Sequence, residues 1–91
     1  MSKFDYDVSE VLIEIKDLLV SKNKKYGNSA LEPLGVFSQL SPEEGLFVRI
    51  DDKLKRIKNG SLQKDDEDVI NDLIGYLVLL KILTRKKSEL E

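Results

Sequence analysis

The sequence predicts an all-α protein: three helices packed as a bundle, with one long packed loop between the first and second. Three observations carry this. Apolar residues recur at helical spacing in three separate stretches. Ser41, Pro42, Glu43 and Glu44 form a firm helix start, with an N-cap, a proline in the first turn and a glutamate at the capping-box position. Between Asn23 and Leu40 the periodicity fails, and Gly27, Asn28, Pro33 and Gly35 act as breakers.

The first helix is expected over about 8–22, capped by Asp7 with Glu10 three residues on. Val8, Val11, Leu12, Ile15, Leu18 and Leu19 form its apolar stripe, and Glu10, Glu14, Asp17 and Ser21 form a carboxylate row opposite. Such a row reads as a solvated face. Ile13 and Val20 lie outside the stripe, one heptad apart, and suggest a second apolar contact supplied by another subunit.

The loop over 23–40 contains Leu31, Leu34, Val36, Phe37 and Leu40, too apolar for a disordered tether, so it is expected to pack down in one shape. The second helix is expected over 42–58, with Gly60 as its stop. Its apolar arc is Leu46, Phe47, Ile50, Leu54 and Ile57, and Arg49, Asp52, Lys53 and Arg56 line one edge. That strip has two readings, a surface ion-pair ladder or an anion grip.

The third helix, about 66–86 with Asp65 or Asp66 as cap, holds the most apolar run of the chain, VINDLIGYLVLLKIL, and is expected to be the central element, covered on most sides. Asp72 sits within that run. A carboxylate in such surroundings needs a basic partner, a metal ion or a polar cleft. Asp68 shares its face at a spacing of four, with Tyr76 one turn further on. Two carboxylates so placed can hold Mg²⁺; alternatively Asp68 serves the helix dipole and Asp72 an ion pair.

Composition narrows the chemistry. The 91 residues make one domain, and a largely buried third helix in so short a chain points to a homo-oligomer, a dimer or higher. With 15 basic and 17 acidic residues there is no overall field for nucleic acid or an acidic membrane surface. The chain has no cysteine and no histidine, so disulfides, thiolate chemistry, Cys-based zinc sites and imidazole bases are excluded. The first residues lack the order of a signal peptide, and Lys81 interrupts an apolar run too short for a bilayer, so a cytoplasmic location is expected.

Three segments in order, KNKKYGNSALEPLGVFS, GLFVRIDDKLKRIKNG and DEDVINDLIGYLVLLKIL, resemble a family of small phage and prophage nucleotide-modification-associated proteins. These look like compact relatives of the MazG-like all-α nucleoside triphosphate pyrophosphohydrolases. The resemblance spans roughly Lys22 to Leu83. In MazG-like enzymes, Glu-x-x-Glu and Glu-x-x-Asp pairs on neighbouring helices hold Mg²⁺ ions that activate water. Here the first pair is replaced by Asp52 among Arg49, Lys53 and Arg56, and the second, Asp68 with Asp72, has a spacing of four. Fewer carboxylates and more cations favour gripping a phosphate over a multi-metal centre.

The resemblance implies a nucleotide-binding site built from Lys25, Tyr26, Gly27, Asn28, Ser29, Arg49, Asp52, Lys53 and Arg56. Asp52 would orient the cations, Tyr26 would stack on a base, and Asp68 with Asp72 would ligate Mg²⁺ or pair with Arg49 or Arg56. The ligand would be a (d)NTP, a modified nucleotide or a cyclic nucleotide, with Mg²⁺-dependent hydrolysis left open. Two alternatives stand beside it: a non-catalytic sponge for host nucleotide defence signals, and a helical protein–protein interaction module.

Overall fold

A computed structural model describes residues 2–60 and 67–90, with side chains for residues 2–60 and 69–89. The described residues form three helices and no strands: α1 (Lys3–Tyr26), α2 (Pro42–Lys58) and α3 (Glu67–Leu90). The all-α expectation holds, and α2 has the predicted bounds. The expected cap at Asp65 or Asp66 lies outside the described residues.

α1 begins earlier and ends later than its periodicity suggested. Ser2 is the N-cap: its hydroxyl accepts from the Asp5 N–H while the Asp5 carboxylate accepts from the Ser2 N–H, a complete capping box. That box competes with the Asp7 and Glu10 signal and starts the helix five residues earlier, with Asp5 in the first turn where an acid suits the helix dipole. At the other end Gly27 takes φ +62° and its N–H reaches the Asn23 carbonyl, closing the helix in the left-handed conformation that glycine adopts without strain. Asn28 follows at φ +63°, so two consecutive left-handed residues turn the chain sharply out of α1.

α3 is the central element. α2 packs along it over an extended stretch and α1 over a short one, while among the described residues α1 and α2 make no comparable backbone contact. The layer is therefore more open than a closed bundle. Among the described residues each helix gives one buried apolar side chain, Ile15, Leu46 and Val69. With only two covers, α3 is not enclosed on most sides as its composition suggested: Ile70, Leu77 and Val78 face outwards.

The segment between α1 and α2 also departs from expectation. It is tied to itself: Asn28 O accepts from the N–H groups of Leu31 and Glu32, the Gln39 side chain donates to Gly35 O, and Ser38 Oγ accepts from the Leu40 N–H. Only its first part packs down: Leu31 is half-buried and shares a depression with Leu19, Val20, Leu79 and Ile82, whereas Leu34, Val36, Phe37 and Leu40 are all exposed. From Leu34 on, local hydrogen bonds rather than apolar burial hold its shape.

Candidate functional site

The end of α1, the start of the loop, Arg49 of α2 and the first half of α3 line a cleft of about 360 Å³. Leu18, Leu19 and Leu79 make its apolar wall, and Gly75 makes its floor. Gly75 leaves space: a Cβ on it would lie 3.0 Å from Leu19 Cδ2, so a side chain there would push the tip of Leu19 aside and a large one would take up cleft volume. Tyr26 and Tyr76 contribute two rings, Asn23, Asn71 and Ser29 hydrogen-bonding groups, and Lys22, Arg49 and Asp72 the charges.

Asp72 has two basic partners. Lys22 Nζ donates to Oδ1 at 3.0 Å and Lys53 Nζ lies 3.1 Å from Oδ2, so one carboxylate joins α1 and α2 to α3. Burial opposes ionisation of Asp72 and is the largest single influence on it. The hydrogen bonds and charges of Lys22 and Lys53 together outweigh burial and hold the carboxyl below its ordinary value. The same bond to Asp72 holds the Lys22 ammonium above its ordinary value, against a smaller effect of burial. Lys53 is only 12% exposed against 48% for Lys22, so the Lys53 arm is the less screened.

Arg49 stands with its guanidinium 6.0 Å from the centre of the Tyr76 ring, at the edge of cation–π range. Among the described residues, Lys22, Lys53 and Arg49 set three positive charges against the one carboxylate of Asp72.

The predicted residues separate into groups. Tyr26, Ser29, Arg49 and Asp72 line the cleft, and Lys53 supports it through Asp72. Asp52 does not orient Arg49 and Lys53; it pairs with Arg56 at 3.7 Å, one turn away on the exposed side of α2. Asp72 is paired with lysines rather than with Arg49 or Arg56. Lys25, Gly27 and Asn28 are not among the cleft walls: Lys25 Nζ sits 5.5 Å from the centre of the Tyr26 ring, and Gly27 with Asn28 makes the turn that brings Ser29 and Ala30 to the cleft. Asp68 falls in the first turn of α3, but its side chain is outside the described residues.

Lys22, Asn23 and Asn71 were missed. A signal existed for Lys22, which follows Leu18 and Leu19 on the apolar stripe of α1 and is as misplaced there as Asp72 is on α3. Two opposite charges stranded on apolar faces can neutralise each other.

No protein-family model, curated protein or solved structure matches the chain.

The Mg²⁺ expectation can be tested on the donor set. Among the described residues no three carboxylates cluster, and both oxygens of Asp72 already face ammonium groups. Mg²⁺ requires oxygen ligands with negative charge to spare. At Asp72 such an ion would have to displace a lysine; the other half of the expected pair, the Asp68 side chain, lies outside the described residues. No described helix is long and apolar enough to cross a membrane.

Proposed function

We propose that the cleft binds a nucleotide, with the base against the tyrosine rings and a phosphate beside Arg49 and Lys22. The observation that supports this is the combination of Tyr26, Tyr76, Arg49 and Lys22 around one apolar-floored cleft. Aromatic faces accept a base whatever its identity, an arginine fork suits phosphate oxygens, and amide side chains such as Asn23 and Asn71 can read a base edge or sugar. The volume, about 360 Å³, lies near the bottom of the range for small-molecule sites, which favours a single nucleotide unit, mono- or cyclic, over a larger ligand.

Binding is better supported than hydrolysis. Lysines engage both oxygens of the carboxylate at the cleft and lower its basicity, which leaves it a weak general base with no free oxygen for a metal ion. A binder that does not consume its nucleotide is the sponge reading suggested by the phage-family resemblance. The interaction-module reading draws on the exposed Leu34, Val36 and Phe37 of the loop.

A thermal-shift series with mononucleotides and cyclic nucleotides, with and without Mg²⁺, tests the proposal. A ligand at a hundred times its Kd should add roughly 2.7 kcal/mol of stability. Arg49→Ala and Tyr76→Ala should remove the shift, and denaturation of the complex should return the ligand intact. Release of monophosphate and pyrophosphate would convert the reading to an enzyme. If no nucleotide shifts the melting temperature, the cleft reading is lost and the interaction module takes its place.

A further inference from the structure

Asp72 carries one negative charge and meets two lysines, and the two are not placed alike. Lys22 lines the cleft with a half-exposed side chain, whereas Lys53 lies outside the cleft walls and is poorly exposed. The Asp72 side chain is itself only 19% exposed, so a carboxylate there without any cation would be costly. One ammonium is enough to prevent that, and Lys53 supplies it on the less screened side. The Lys22 arm is then a second, half-exposed ion pair, of the kind that adds little to stability and breaks at little cost.

Lysine suits an exchange of partners. Its ammonium is a compact charge with three donors on a flexible stem, so it can leave one oxygen for another within the same cleft while its helix stays in place. Arg49 lines the same cleft beside the Tyr76 ring, and among the described residues no carboxylate lies within ion-pair distance of it. A phosphate held by Arg49 therefore competes with Asp72 for Lys22.

We infer, on the nucleotide reading of the cleft, that Lys22 is an exchangeable cation: Asp72 holds it until a phosphate oxygen of the bound nucleotide takes it over, while Lys53 stays on Asp72. Asp72 is thus an internal stand-in for the phosphate. Affinity is lowered by the fraction of chains in which the carboxylate keeps Lys22, and removing the carboxylate lifts that penalty. Lys53 is a positioning residue, because it neutralises the carboxylate that Lys22 leaves.

Titration calorimetry of the full chain with ribonucleoside monophosphates and their cyclic forms tests the exchange. Lys22→Ala should bind the tightest of them at least tenfold more weakly than the wild-type chain. Asp72→Asn, which keeps the side-chain shape and removes the competitor, should bind it about fivefold more tightly. In the Lys22→Ala background the same substitution should change affinity by less than about twofold, whereas plain relief of repulsion between Asp72 and a phosphate would give its gain with or without Lys22. The carboxylate carbon resonance of Asp72 gives a readout that holds even if Asp72→Asn does not fold: it should move on saturation of the wild-type chain and far less in Lys22→Ala. A nucleotide that binds the wild-type chain and is lost in Arg49→Ala, but gains nothing from Asp72→Asn or gains equally without Lys22, would overturn the exchange and leave the nucleotide reading intact. Failure of every one of these nucleotides to bind the wild-type chain would remove both.

Discussion

The two halves of α1 carry the same stripe and meet different fates. In the second half, Ile15 is buried at 3% exposure, Leu19 presses on Gly75, and Lys22 bonds to Asp72 on α3. In the first half, Val8, Val11 and Leu12 continue that face into solvent. The difference shows that helical periodicity reports which face will be covered, but not by which chain. α3 covers only the part of α1 it crosses, and the remaining stripe is what a partner would bury.

The largest expected effect comes from substituting on either side of the boundary between the halves. Ile15→Ala should cost roughly 3 kcal/mol by transfer and cavity losses. Leu12→Ala, on the same face three residues earlier, should fall within about 0.5 kcal/mol when the chain is dilute enough to be monomeric. Denaturant melts of both variants, repeated at high concentration, test this. A dilute Leu12→Ala chain as unstable as Ile15→Ala would mean that the division is false.

The ionic join is next. Asp72→Ala leaves Lys53 without its carboxylate at a poorly exposed position, and since the pair retains some solvent the cost should be about 1–2 kcal/mol rather than that of a fully buried pair. Lys53→Ala should cost more than Lys22→Ala. The pH dependence follows from the shifted groups. Because the Asp72 carboxyl is held low in the folded chain, its contribution is complete above its unfolded pKa of roughly 4 and is lost as pH falls through the lower folded value. Because the Lys22 ammonium is held high, its contribution is complete below about 10.4 and is lost as pH rises through the higher folded value. The difference in melting temperature between the wild-type chain and Asp72→Asn should therefore be flat across neutral pH and shrink at both extremes. A difference that grows on acidification would contradict the pairing.

Gly75→Leu sharpens the cleft side of the comparison. It should lower nucleotide affinity at least tenfold, about 1.4 kcal/mol, with helix content retained by circular dichroism. Unchanged affinity would place the ligand elsewhere. The smallest effect belongs to the free end of α1: Ser2→Ala should cost about 0.5–1 kcal/mol through loss of the capping box. No loss would show that the first turn frays.

Legibility in the sequence followed range. The Ser41 cap is a local device and holds in the structure, whereas α1 runs past its expected end near 22 to Tyr26, where Gly27, read only as a breaker, closes it. The Ser2 start was obscured by a second, equally spaced signal at Asp7 and Glu10. Asp72 was correctly marked as a charge in need of a partner, but its two partners, Lys22 and Lys53, lie on other helices, the former fifty residues away. Spacing within one helix cannot select among Lys22, Arg49, Lys53 and Arg56 on others. The loop misled for a different reason: Leu34, Val36 and Phe37 are apolar enough to demand cover, and the sequence does not say that the cover is absent from the same chain.

Two of the chain's three tyrosines, Tyr26 and Tyr76, line the cleft, and the protein has no tryptophan. Phenol emission is thus a built-in optical gauge of that space: whatever enters it dims or shifts the signal of those two rings, with no label attached and only Tyr6, near the start of α1, as background.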